Sequence, residues 1–301
     1  MSDTIPPLPT LDKLSFTLSS DGTYYSVKKL NSSISGEVVI PDEYNEKPVK
    51  EIADSAFSHC SSLTSITIPD SVTSIGSHAF DRCKSLTSVT IGNGVTSIGY
   101  AAFDNCSSLT SINIPDSVTS IGCHAFCHCE NLLFVNLPNS ITEIPNGAFC
   151  TCNKLNNVNI PDSVESIGQY VFQSCDSLTT INIPNSVTSI GYCSFASCDN
   201  LASISIPESV TSIGSGAFVE CDKLTNVILK GKPEDIRNDV FNQTPELKKI
   251  YAVEGSGWNA DSTITRYQGG GGEHVDIPIE ILPADGAVIA KTMSVKSMKI
   301  S

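Results

Sequence analysis

Ala79-Phe80-Asp81-Arg82-Cys83-Lys84-Ser85-Leu86-Thr87-Ser88-Val89-Thr90-Ile91 decides the fold, and Val95-Thr96-Ser97-Ile98-Gly99 is its continuation. The landmarks return every 23 residues. Phe stands at 57, 80, 103, 126, 149, 172, 195, 218 and 241. Cys stands at 60, 83, 106, 129, 152, 175, 198 and 221. Leu stands at 63, 86, 109, 132, 155, 178, 201, 224 and 247, with Ile or Val three places after each. A unit this short cannot bury its own apolar side, so neighbouring units must stack into one continuous core.

A single coil can be read side by side. Leu63-Thr64-Ser65-Ile66-Thr67-Ile68 alternates as a strand does, with Leu63, Ile66 and Ile68 inward and Ser65 and Thr67 outward. Pro follows at 69, 115, 138, 161, 184 and 207 and ends the strand, because it offers no N–H to a ladder. Asp70-Ser71 turns the corner. Val72-Thr73-Ser74-Ile75-Gly76 reads as a short second strand, and Ala79-Phe80 as a tight helical turn on the third side. Every coil runs the same way, so the strands are parallel and about 4.8 Å apart. The fold class that follows is a mainly β solenoid of about nine coils, each with a main strand in a parallel sheet, a short second strand and a helical turn.

The spacing also sets boundaries. Residues 1–11 are an N-terminal extension, and 12–52 hold a β cap with the first coil. Residues 53–252 are the repeat array, and 253–268 form a C-terminal cap. The ninth coil is worn, with Thr244 in the Cys slot and Pro233 in the Val slot. Gly269 to Gly272 are a linker, and 273–301 form a docking or tail segment that is strand-like at Val275–Leu282. Twenty-nine residues are too few for a core of their own. The segment therefore docks on another chain, docks on the solenoid, or stays unstructured.

The runs Ile-Pro-Asp-Ser-Val-Thr-Ser-Ile-Gly, Ala-Phe, Cys and Leu-Thr-Ser-Ile, over about residues 37 to 250, resemble the BspA-type leucine-rich repeats of bacterial and protist surface proteins. The resemblance implies a leucine-rich-repeat solenoid. It also implies a binding or adhesion role at a cell surface or outside the cell, toward a protein or glycan partner.

The chain has 301 residues, 12 of them Cys, and a net charge of −14. Such a charge repels phosphate backbones and anionic lipid, which excludes nucleic acid as a partner. No apolar run approaches the roughly 18 residues that a membrane span needs. Met1-Ser2-Asp3-Thr4-Ile5-Pro6-Pro7 lacks the basic and apolar parts of a leader. Either the protein acts without Sec-type export, or its leader is not part of this sequence.

The eight repeat-position cysteines (Cys60, Cys83, Cys106, Cys129, Cys152, Cys175, Cys198, Cys221) should form an inward structural ladder of buried thiols that satisfies turn carbonyls. Of the other four, Cys127 and Cys150 share one position in adjacent coils and are candidate disulfide partners; Cys123 and Cys193 remain. Cys123-His124-Ala125-Phe126-Cys127-His128-Cys129 has the composition of a metal cluster. With Phe126 and Cys129 both committed to the core, however, their neighbours should diverge, so no metal is assigned. No nucleotide loop, nucleophile elbow or metalloprotease motif occurs. The acids at Asp70, Asp116 and Asp162 recur because the corner recurs. No catalytic residue and no cofactor are expected.

The outward strand positions run Ser65/Thr67, Ser88/Thr90, Ser111/Asn113, Phe134/Asn136, Asn157/Asn159, Thr180/Asn182, Ser203/Ser205, Asn226/Ile228 and Lys249/Tyr251. Departures from the Thr-Ser-Thr consensus gather at 123–159. The candidate ligand face is therefore Ser111, Asn113, Phe134, Asn136, Asn157, Asn159, Thr180 and Asn182. Two rival readings stand beside adhesion. One is a structural or receptor-binding component of a larger particle, such as a phage tail or an injection apparatus, assembled through residues 273–301. The other is an intracellular scaffold.

Overall fold

The computed structural model describes residues 10–31, 33–237, 239–268 and 273–283. The chain divides into two compact units, Met1–Ile141 with Ala148–Asn153, and Thr142–Gly147 with Lys154–Ser301. Both are mainly β, with parallel strands and almost no helix.

The first unit opens with the antiparallel pair Leu14–Leu18 and Tyr25–Lys29. A hairpin, Glu43–Tyr44 with Lys47–Ile52, turns through two left-handed residues, Asn45 and Glu46. Phe16 stacks on Tyr44 at 4.0 Å and, with Tyr25, closes the end of the core. Two ladders then run coil to coil. The main one joins Ser35–Val39, Ser62–Ile68 and Ser88–Ile91 in parallel, and Ser111–Asn113 pairs with Phe134–Asn136. The short one joins Lys47–Ile52, Ser74–Ile75, Ser97–Ile98 and Ser120–Ile121. Pairs such as Ser65 with Ser88 and Ile75 with Ile98 put the 23-residue period directly into the strand register.

The second unit repeats the scheme. Its short strands are Glu143–Ile144, Ser166–Ile167, Ser189–Ile190, Ser212–Ile213 and Asp235–Ile236. Its main sheet runs Ser203–Ile206, Asn226–Leu229, Ile250–Val253, then Glu273–Leu282, with Thr263–Gln268 on the outside.

The alternation expected of the main strand is present. In Ser62–Ile68, Leu63, Ile66 and Ile68 are buried while Ser65 and Thr67 are not. Strand length shrinks where Asn replaces the outward Thr. Ser62–Ile68 has seven residues, and the strands ending at Asn113, Asn136 and Asn159 have three each. The strand expected over 178–183 does not form, although Ile181 and Ile183 stay buried. Asn is a poor strand former beside β-branched Thr, and that is the physical difference between the seven-residue strand and the three-residue ones.

The third side also departs from expectation. It is not a helix but a chain of turns in which alternate N–H groups have different destinations. The Ala79, Asp81 and Cys83 amides bond back three residues, to Gly76, His78 and Phe80. Those of His78, Phe80 and Arg82 reach forward to the next coil, at Tyr100, Ala102 and Asp104. The alternation needs two left-handed residues per coil, such as His78 (φ 54°) and Arg82 (φ 57°), and such residues break a helix. Thr151 holds this conformation at φ 58° despite its β-branch. Thr151→Gly is expected to leave the urea midpoint within about 0.5 kcal/mol of the native value, because relief of the steric penalty at positive φ is offset by the extra freedom Gly gives the unfolded chain.

Candidate binding faces

The outward face of the first unit carries Ser111 opposite Phe134 and Asn113 opposite Asn136. Asn113, Phe134 and Asn136 are exposed, and Ser111 is half-buried. Phe134 is 45% exposed, and the adjacent Leu133 is 42% exposed. The result is an apolar pair set among amides and a hydroxyl, with no charge. In the second unit Asn157, Asn159, Thr180 and Asn182 are all exposed.

Hydroxyls beside this face are committed to the fold. Thr87, Thr96 and Thr119 each donate to the carbonyl 23 residues back, at 3.0–3.3 Å. The corner acids do similar work, since Asp70 accepts from the Asn93 N–H at 2.6 Å. Asp116 accepts from Asn139 at 3.3 Å. These groups bind one coil to the next, so they recur for structural reasons.

At the far end the expected outward face is covered. Asn226 is 6% exposed, Ile228 1% and Tyr251 3%. Leu282, on the C-terminal strand, packs against Ile228 and Tyr251. Its residues 279–282 pair in parallel with Ile250–Val253, and its residues 273–278 pair antiparallel with Thr263–Gln268. Lys249 and Glu280 form an exposed ion pair at 2.5 Å across the first of these joints. Residues 273–282 thus extend the solenoid's own sheet. Residues 269–272 and 284–301 lie outside the described residues, as do 1–9 of the N-terminal extension.

In the cysteine ladder six Sγ atoms donate to the Phe carbonyl 26 residues back, while Cys60, in the first coil, points to the Ser58 carbonyl at 3.9 Å. In the first unit Cys83, Cys106, Cys129 and Cys152 reach Phe57, Phe80, Phe103 and Phe126 at 3.2–3.3 Å. In the second, Cys198 and Cys221 reach Phe172 and Phe195 at 3.1 Å. Burial pushes the Cys106 and Cys198 thiols well up and Cys221 to about 12, so they stay protonated and able to donate. In the worn coil Thr244 fills the slot, and its hydroxyl donates to the Phe241 carbonyl at 2.6 Å.

One expectation fails in an informative way. Cys127 and His128 do not diverge. His128 is left-handed at φ 55°, and its Nδ1 lies 3.2 Å from Cys127 Sγ and 3.1 Å from Asp104 Oδ1. The Cys150 thiol of the next coil neighbours Cys127 closely enough for the two to share a proton-bearing bond between their sulfurs. That bond holds Cys150 down at about 6 against the opposing effect of its burial, and it pushes Cys127 up.

Two surface features escaped the sequence reading. His78, Tyr100 and His124 form an edge-on aromatic stripe, with ring centroids 5.1 and 5.8 Å apart. Tyr170 and Tyr192 form a similar pair at 5.1 Å. Beside the short strands of the second unit is a groove of about 720 Å³ lined by Ser189, Ser212, Ser215, Asp235, Arg237 and Asp239, among others. The usable signal was the residue after each coil's Gly, where Tyr100 and Tyr192 replace the Ser of Ser77 and Ser215.

A parallel β solenoid whose coils each place Leu and Ile under a short strand is the architecture of leucine-rich-repeat proteins. The chain belongs to the BspA-type branch of them: residues 50–179 and 142–256 match the BspA type leucine rich repeat region, in six copies. Among solved structures, a leucine-rich repeat protein from Bacteroides ovatus is similar at 25% identity and TM-score 0.63, covering 90% of this chain and 76% of that one. The T. pallidum leucine rich repeat protein is 32% identical at TM-score 0.54, covering 72% and 90%. A leucine rich cell surface protein from Faecalibacterium prausnitzii is 29% identical at TM-score 0.52, covering 80% and 87%. No curated protein matches the chain. The matches point to no catalytic family. Among the described residues no helix is long and apolar enough to cross a membrane.

Proposed function

We propose that this chain is a non-enzymatic binding and adhesion protein that engages a cell-surface or matrix protein or glycan through the Ser/Thr/Asn face of its main sheet. The observation that carries this reading is the Leu133–Phe134 pair, 42% and 45% exposed in the middle of an uncharged, hydrogen-bonding face. Burying a side chain of this size is worth about 1.5–3 kcal/mol, which a partner recovers on docking. Aromatic anchors ringed by polar groups are the usual energetic centres of interfaces. Asn113 and Asn136 flank the anchor in register and supply donors and acceptors to a peptide or a sugar. The cell-surface description of the F. prausnitzii structure supports a surface location.

The rival reading, a particle component assembled through residues 273–301, drew on a strand tip available to another chain. Every residue of that strand already has a partner within this chain, 273–278 on Thr263–Gln268 and 279–282 on Ile250–Val253, so adhesion is favoured. The test is a screen of the full chain on a glycan array and on immobilised matrix proteins, repeated with Phe134→Ala. For each ligand found, the substitution is expected to weaken binding about 10-fold or more, equivalent to about 1.4 kcal/mol. Unchanged affinity would move the site off this face.

A further inference from the structure

The repeat places Asp104, Cys127 and Cys150 in one column, at the same position of three successive coils. The column begins Ser58, Asp81 and continues after Cys150 with Gln173, Ala196, Val219 and Asn242, so its metal-ligating side chains form one consecutive run, Asp81 to Cys150, and the two thiols stand only here. His128 joins from the side, through the left-handed backbone that the third side imposes. One ligand atom from each of Asp104, Cys127 and His128 lies within 4.8 Å of the others.

We propose that Asp104, Cys127 and His128 form a transition-metal site, with Zn²⁺ as the best-fitting ion and Cys150, whose sulfur lies outside their 4.8 Å group, turning in from the next coil as the fourth ligand. Zinc bonds to S, N and O ligands at about 2.0–2.3 Å, so the edges of its coordination tetrahedron are about 3.3–3.8 Å. The Cys127–His128 and His128–Asp104 separations of 3.2 and 3.1 Å are already near that length. Two sulfurs, an imidazole and one carboxylate suit zinc and discriminate against Ca²⁺ and Mg²⁺, which prefer all-oxygen shells. The surroundings look like a supporting shell. Asn105 Nδ2 donates to Asp104 Oδ1 at 3.2 Å and orients the carboxylate. The His128 N–H donates to the Cys150 carbonyl at 2.8 Å, tying the two ligand-bearing coils together. Cys127 is buried, while the His128 side chain is 44% exposed and Asp104 24%, which leaves an approach from solvent. As each Sγ–metal bond forms, the thiol proton leaves to solvent, two per ion. His128 binds as neutral imidazole through Nδ1. The bound ion would clamp three successive coils.

The test is Co²⁺ titration of the full chain under a phosphine reductant, followed by displacement with Zn²⁺. The expected result is one equivalent of cobalt with tetrahedral d–d bands and a thiolate-to-metal charge-transfer band. That band should fall by roughly half in Cys127→Ser and in Cys150→Ser, and be unchanged in the control Cys193→Ser. Asn105→Ala, which removes only an orienting donor, should weaken binding about 10-fold. Zn²⁺ should also raise the melting temperature of the native chain, and raise that of Cys127→Ser by clearly less, because stabilisation by a ligand of the folded state follows its affinity. Absence of a charge-transfer band at one equivalent, or a band undiminished in both cysteine variants, overturns the proposal.

Discussion

Phe126→Ala is expected to destabilise the first unit by about 3–5 kcal/mol, a large share of a domain's total stability. Phe126 is fully buried and is sandwiched by Phe103 at 5.4 Å and Phe149 at 5.5 Å, with rings nearly parallel. Truncation leaves a void between two rings held by their own coils, so the gap cannot collapse. It also breaks the stack between successive coils, which is the nearest-neighbour term that stabilises a repeat array. Urea unfolding followed by circular dichroism checks this. The midpoint should fall steeply, while the exposed Phe134→Ala should stay within about 0.5 kcal/mol of the native chain. A Phe126→Ala protein with a near-native midpoint would show that the ring column contributes little.

What could be read in the sequence follows from the same stacking. A residue recurs visibly when its need recurs in every coil: Phe80 to fill the centre, Cys83 to donate to a carbonyl, Asp70 to accept the next coil's amide. The period, the core list and the inward thiols were therefore legible from residues 57 to 247. The third side was not. Its left-handed positions are occupied by residues as varied as His78, Arg82, Thr151, Tyr170 and Glu220, with Gly only at 147 and 216. Ladder hydrogen bonds to the neighbouring coil, not local propensity, impose that backbone, so no Gly signal marks it. Convergence of Cys127 and His128 depends on this hidden kink, which explains why spacing argued against it. Covering of Ile228 and Tyr251 was illegible for another reason: it depends on Leu282, which lies beyond the Gly run and shares no period with the coils. Loss of the strand over 178–183 has no cause visible in the sequence, since Asn182 fills the slot that Asn113, Asn136 and Asn159 hold within three-residue strands.

Gly122→Ala is expected to cost about 3 kcal/mol or more, at the upper end of what overpacking produces, because backbone rather than a flexible side chain blocks the new methyl. A Cβ on Gly122 would sit 2.5 Å from the carbonyl carbon of Gly99 and from the amide nitrogen of Tyr100. The Gly122 N–H donates to the Ile98 carbonyl at 2.8 Å, so the coil cannot withdraw without losing a ladder bond. Gly99 meets the backbone of Gly76 in the same way, and Gly191 that of Gly168. The Gly after the short strands at 76, 99, 122, 168, 191 and 214 is thus a spacing requirement, set by how closely adjacent coils approach there, and Pro145 and Arg237 depart from it. None of these glycines has positive φ, so the cost is contact and not torsion. That difference gives the measurement its contrast. Ala101, one coil before His124 at a left-handed position, is already accommodated with its methyl at φ 49°. Thermal unfolding of Gly122→Ala should show a clear drop in midpoint, and Ala101→Gly little change. Equal small shifts in both would mean that the coils can separate locally at almost no cost, and that the close approach at Gly122 is not what holds the short-strand ladder in register.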